Sequence, residues 1–131
     1  MRRLIILFVA FMIIVGCEDH ITVTDSLPPP HYLDNWVGEY SGERITTSWS
    51  INGPSTSTTT LDTVLVIMAD DSSVFVDQTY VPLDTNGYFF IHQGGSNYYS
   101  IEFTDSDSLH QSTGSGGLGG GVNSVFRGRK K

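Results

Sequence analysis

The side chains that could support chemistry in this chain of 131 residues are few and widely spaced. Histidines stand at His20, His31, His92 and His110. A zinc site needs three or four ligands on one point, and its sequence mark is a close spacing such as His-x-His or Cys-x-x-Cys. Neither spacing occurs, so His92, Glu102 and His110 would meet only if neighbouring strands brought them to one face; otherwise they are surface strand residues. His20 and His31 fall in a segment where nothing fixes their geometry. Asp105-x-Asp107 and Asp84-x-Asn86-Gly87 echo fragments of calcium loops but lack the later glutamate and the full ligand alternation. Turn chemistry accounts for both. The tract Gly114 to Gly121 lacks the lysine and the following helix of a phosphate loop, and reads as a flexible hairpin tip. Ser55 to Thr60 contains no G-x-S-x-G elbow and reads as a polar loop. Asp62, Asp77 and Glu102 could in principle form a carboxylate pair, although outward-facing acids are the default on strands. The expectation is a protein that binds rather than catalyses, with no metal and no cofactor.

Charge narrows the partners. Removing Arg2 and Arg3 with an N-terminal signal takes the formal charge from −7 to −9, and four of the five remaining bases lie in the last five residues. Between Cys17 and Phe126 the only base is Arg44. Such a surface cannot bind nucleic acid by neutralising phosphates, so no nucleic-acid partner is expected.

The chain opens with Arg2 and Arg3, an apolar run from Leu4 to Val15, and then Ile14-Val15-Gly16-Cys17. The run is shorter than the roughly 20 residues a membrane-spanning helix needs, and matches a secretory signal. The four residues ending at Cys17 resemble the cleavage box of bacterial lipoprotein signals. That resemblance implies lipidation of Cys17, removal of residues 1–16, and a protein held in the cell envelope by its acyl chains, with the outer membrane expected and the leaflet open. Cys17 is the only cysteine, so no intramolecular disulfide can stabilise an exported domain. Residues 17–31 are polar and acidic and end in Pro28-Pro29-Pro30, which favours an extended spacer of about 3.1 Å per residue.

Residues 32–131 suffice for one small domain. Runs rich in Val, Ile, Thr, Tyr and Phe alternate with turn clusters, and no stretch sustains helical periodicity. The fold expected is all-β: seven or eight short strands in an antiparallel up-and-down meander, closed into a small barrel because closure removes exposed edges. A β-sandwich of the same strands is the alternative. Trp36 to Ile51 should form one long or two broken strands, with Gly38 and Gly42 as bulge or bend sites. Thr58 to Ala69 is apolar on both faces and should sit centrally or be covered on both. Val74 to Val81 should be one strand, and Tyr88 to Thr104 a hairpin about Gly94-Gly95-Ser96-Asn97.

Trp36-x-Gly38-x-Tyr40-x-Gly42 at the start and Phe126-x-Gly128-x-Lys130 at the end resemble the lipocalin-like or calycin-like domains of bacterial envelope lipoproteins. The resemblance implies a barrel whose opening Trp36 packs across the bottom near the last strand, against Arg127 or Arg129. Alternation puts Phe89 and Ile91 on one face and Tyr88, Phe90 and His92 on the other. Tyr88, Phe90, Tyr98 and Tyr99 are the candidate ligand-binding residues. Two functions are expected from this pattern. One is a barrel carrying a small apolar or peptide ligand; the other is a filled barrel that offers its surface to another envelope protein.

Overall fold

The computed structural model describes residues 31–131, so the expected signal peptide, the lipidation site Cys17 and nearly all of the spacer lie outside the described residues. A short 3-10 turn, Tyr32–Asn35, precedes eight strands: β1 Gly38–Ser50, β2 Gly53–Asp70, β3 Ser73–Val76, β4 Thr79–Pro82, β5 Tyr88–His92, β6 Tyr98–Thr104, β7 Ser108–Gly117 and β8 Gly120–Lys130. All pair antiparallel in one sheet of order β4-β3-β2-β1-β8-β7-β6-β5. The first and last strands are hydrogen-bonded to each other from Tyr40↔Lys130 to Ser50↔Gly120. The result is a nearly closed barrel whose seam falls between β4 and β5. One continuous sheet excludes the sandwich alternative.

Both edges at the seam are short, which limits the unpaired backbone they expose. Pro82, at the end of β4, has no amide to donate. On β5, Phe103 N–H donates to Gly87 O and Gln93 N–H donates to Asn97 O, so the odd residues face β6. The backbone groups of Phe90 and His92 therefore face the seam, while Asp84 takes up both groups of Tyr88.

Strand lengths divide the molecule. β1, β2, β7 and β8 have 13, 18, 10 and 11 residues, against 4, 4 and 5 for β3, β4 and β5. The barrel is complete only around its lower half. Above it, four strands continue as an open apron.

The lower half holds the core. Tyr40, Val64, Val66, Val74, Val76, Val81, Ile101 and Phe126 are fully buried there, with Leu33, Trp36 and Phe103 at the end nearest the N-terminus. Trp36 lies outside the strands, as the cap of the 3-10 turn, and stacks on Phe103 at 5.5 Å between centroids. Neither Arg127 nor Arg129 is its partner: Arg129 pairs with Asp107 at 3.0 Å, and Trp36 is held by aromatic contacts. The Tyr40 hydroxyl donates to Trp36 O at 2.8 Å, tying β1 to this end. Burial pushes the Tyr40 hydroxyl up to about 12, with Asp107 adding to the effect.

A polar belt closes off the core. Arg44 points inward, donating from Nε to Asp62 at 2.5 Å and from Nη2 to Gln111 at 3.1 Å, with its guanidinium over the Phe126 ring. Gln111 then donates to the Tyr99 hydroxyl at 3.2 Å, so the network runs across β2, β1, β7 and β6. Hydrogen bonding from Arg44 holds the Asp62 carboxyl below its ordinary range. Above the belt, the cross-strand register gives the inward face Thr46, Ser48, Thr56, Thr58, Thr113, Val122 and Ser124, a lining mostly of hydroxyls.

Several expectations need correction. Gly42 is no bulge: pairing runs through it unbroken on both sides, and the Gly42–Gly128 pair instead permits close approach of β1 and β8. β2 is longer than predicted and lies inside the sheet between β3 and β1, but it is covered on one face only, since Leu61, Leu65 and Ile67 are exposed while Val64 and Val66 are buried. Ser55 to Thr60 is strand rather than loop. Val74 to Val81 is two strands joined by a tight turn at Asp77 and Gln78, both with positive φ. Gly114 to Gly121 is the paired end of a hairpin whose turn is only Leu118-Gly119. His31 has a fixed role, its side chain accepting from Leu33 N–H while Asp34 accepts from its own N–H.

Candidate functional site

Of the four sequence candidates, Phe90 and Tyr98 sit together. Tyr88, Phe90 and Tyr98 all face outward, whereas Tyr99 faces the interior, beside Phe89 and on the polar belt. Alternation separated Phe89 from Phe90 without saying which faced the core; the register puts Phe89 inside and Phe90 outside. Burial pushes the Tyr99 hydroxyl up, as befits an interior phenol. Phe90 stacks beside Tyr98 at 6.4 Å with 24° between the rings.

Tyr98 lies flat on the sheet because its cross-strand neighbour is Gly114. A Cβ on Gly114 would stand inside the ring, so any other residue there would lift it. Its hydroxyl reaches over β7 to donate to Asn123 Oδ1 on β8 at 2.6 Å and stands 3.3 Å from Ser112 Oγ. From the opposite side, Trp49 on β1 spreads over Gly121 and Gly116: a Cβ on Gly121 would come to 2.9 Å from the indole Nε1, and one on Gly116 to 3.4 Å from Cζ2. Gly114 and Gly116 are alternate residues of β7, so they share a face about 7 Å apart. Trp49 and Tyr98 thus converge over the same two strands. Trp49, Tyr98 and Phe90 make one outward shelf, with Trp49 41% and Phe90 51% exposed.

The shelf's polar neighbours are amides and hydroxyls. Asn123 accepts from Tyr98, and Asn97 Oδ1 accepts from Gly116 N–H at 3.2 Å. Each amide thereby uses its oxygen, and neither NH₂ has an acceptor among the described residues. Thr47 bonds Ser57 at 2.8 Å along one rim.

The other candidates stay apart. Glu102 and His110 are cross-strand partners with 3.8 Å between Oε2 and Nδ1, but His92 turns its Nε2 to Gly95 O at 3.0 Å. No cluster of three metal-ligating side chains occurs among the described residues. Asp62 is held by Arg44, and Asp77 accepts from Leu65 N–H at 2.9 Å, so the carboxylates Asp62, Asp77 and Glu102 do not converge. Asp84 and Asp70 accept from amides two residues on, Asx turns of which the first is the one its spacing predicted. The backbone bond from Ser72 is the main reason the Asp70 carboxyl lies below its usual range. A separate groove of about 640 Å³ crosses β1, β8 and β7 on the outer face, lined by Glu43, Ile45, His110, Val125, Arg127 and Arg129 among others.

The sequence analysis missed Trp49, Asn97, Asn123 and the three glycine seats. The Gly114-x-Gly116 spacing carried a signal, because at strand periodicity it puts two gaps on one face. Reading it required treating the glycine tract as strand. Comparison with known proteins finds no matching family model and no matching curated protein.

Proposed function

We propose that the chain is a lipid-anchored binding protein of the cell envelope, attached through Cys17, that works from the outer surface of a filled barrel. The supporting observation is the interior itself. The walled half is packed with fully buried side chains from Tyr40 to Phe126 and closed by the Arg44–Asp62–Gln111–Tyr99 belt. The unpacked half lacks facing strands and is lined mostly by hydroxyls, with Val122 the apolar exception on β8, a poor match for an apolar cargo, whose transfer from water is driven by apolar area covered. An interior carrier is accordingly the weaker of the two readings. Filled interiors are common in small barrels, where side chains suffice to occupy the space.

Native mass spectrometry of the full chain, extracted in mild detergent from its own membranes, separates the two. The expected result is a mass equal to the protein with its acyl groups and no small interior cargo. A further small molecule retained by wild type and lost on Arg44→Met would favour the carrier. The anchor has its own test: wild type should incorporate labelled palmitate and fractionate with membranes, and Cys17→Ser should do neither.

A further inference from the structure

We infer that the outward shelf of Trp49, Tyr98 and Phe90 binds a neutral glycan chain. This names the ligand class of the surface reading proposed above and rests on it. Three observations carry it, and the first is planarity. Gly114, Gly116 and Gly121 let Trp49 and Tyr98 lie against the backbone of β7 and β8, so each ring has one face on the sheet and the other toward solvent. Stabilising a glycine gap by an aromatic neighbour is a known device of sheets, and it accounts for the inner faces of the rings. It does not account for the second feature.

That feature is the donor set. Asn123 and Asn97 hold their carbonyl oxygens on Tyr98 and on Gly116 N–H, which fixes each side chain and leaves its NH₂ without an acceptor among the described residues. A flat apolar face edged by oriented amide donors matches a sugar ring, whose C–H faces stack on aromatics while its hydroxyls accept from N–H groups around the rim. A protein contact would be served as well by branched aliphatics, but the shelf is formed from planar rings and glycines.

The third is charge. The residues of the shelf and its rim, Thr47, Trp49, Phe90, Asn97, Tyr98, Ser112 and Asn123, carry no fixed charge, in a chain of formal charge −7, and the one titratable side chain beside them, His92, is turned to Gly95 O. Neither a cationic nor an anionic ligand would find a counter-charge there. The shelf also runs across strands, from β1 through β8 and β7 to β6 and β5, so it presents successive rings to an extended chain rather than one pocket to a monosaccharide.

The test is affinity electrophoresis of the full chain in detergent, in native gels cast with cellulose ether, β-1,3-glucan or mannan. Retardation by at least one of these polymers is expected. Trp49→Ala should weaken it by about tenfold, since removing a stacking ring from such a site costs on the order of one decade in affinity. Trp49→Phe should retain most of the binding, which a merely structural disturbance of β1 would not explain. Leu65→Thr, on a different part of the outer face, should leave it unchanged. No retardation in any gel, or equal retardation of Trp49→Ala and wild type, overturns the inference. So does Trp49-dependent capture of a second polypeptide without polysaccharide binding. A bare mass in the native spectrum together with no retardation would remove the glycan while leaving the surface reading in place; an interior cargo would remove the surface reading itself.

Discussion

The two halves of this barrel share four strands and differ in what faces inward. Below Arg44 the inward residues of β1, β2, β7 and β8 meet opposing side chains from β3, β4 and β6, and they are apolar and buried. Above Arg44 the same strands continue past the ends of their opponents, and the inward residues become mostly threonine and serine, with Val122 the exception on β8. The change occurs within single strands: β2 runs from exposed Thr56, Thr58 and Thr60 to buried Val64 and Val66 without a break in register across that stretch. Threonine keeps the β-branched shape that suits a strand while tolerating water. The composition of each half thus follows from whether a wall stands opposite.

If stability resides in the walled half, its loss should be the largest effect available. Phe126 is fully buried, supports the Arg44 guanidinium and lies so close to Gly128 that a Cβ there would clash with its ring. Phe126→Ala should destabilise by about 3–5 kcal/mol, the usual cost of emptying a large aromatic site. Chemical denaturation followed by circular dichroism measures it. A loss below about 1 kcal/mol would mean that the packed half does not govern unfolding.

The belt between the halves comes next. Arg44→Met keeps much of the volume but leaves Asp62 and Gln111 without their donor, and should cost about 2 kcal/mol, in the range for hydrogen bonds to charged groups. Adding Asp62→Leu should recover part of that loss, because an ion pair replaced by apolar neighbours is often neutral once both charges are gone. If the double variant is as unstable as the single, the pair is not what the substitution disturbed. The belt and the core beneath it set the pH limits. Asp62 has a lowered carboxyl range in the folded state, so its contribution is present above the unfolded value near 3.8 and is lost as the pH falls through the folded one. Tyr40 is raised from 10.0 to about 12, so its contribution is full below pH 10 and disappears as the pH rises toward about 12. Thermal scans across pH should show a shoulder at each limit, and Tyr40→Phe should remove the alkaline one.

The halves also differ in how legible they were in the sequence. The hairpin from Tyr88 to Thr104 was evident because alternation and a glycine-rich turn agree locally, and β6 begins and ends at the residues expected. The split of β3 from β4 was hidden, because Asp77-Gln78 adopts positive φ without the Asn-Gly or Asp-Gly pair that marks such turns. The apron misled most. Ser55 to Thr60 and Gly114 to Gly117 have loop compositions, yet both are strand because each has a long partner to pair with, a property of register rather than of local sequence. The shelf stayed hidden for the same reason: Trp49 and Tyr98 are 49 residues apart in the chain and meet only through β7 and β8.

The smallest effect is the most discriminating test of the division. Thr58 stands on the inward face of the apron, opposite Thr46, exposed and without a wall across from it. In a closed barrel, Thr58→Val would place a methyl group in the interior and gain stability by apolar burial, about 0.8 kcal/mol per buried carbon. In the open apron the same change exchanges one water-facing β-branched residue for another, and the stability should stay within about 0.5 kcal/mol of wild type. Hydrogen exchange sharpens the comparison, since amides of Thr46 to Ser50 should open by local fluctuation while those of Tyr40 to Arg44 should require global unfolding. Equal protection along β1 would mean that the upper strands are covered in solution and that a wall, or a partner, stands where none is seen among the described residues.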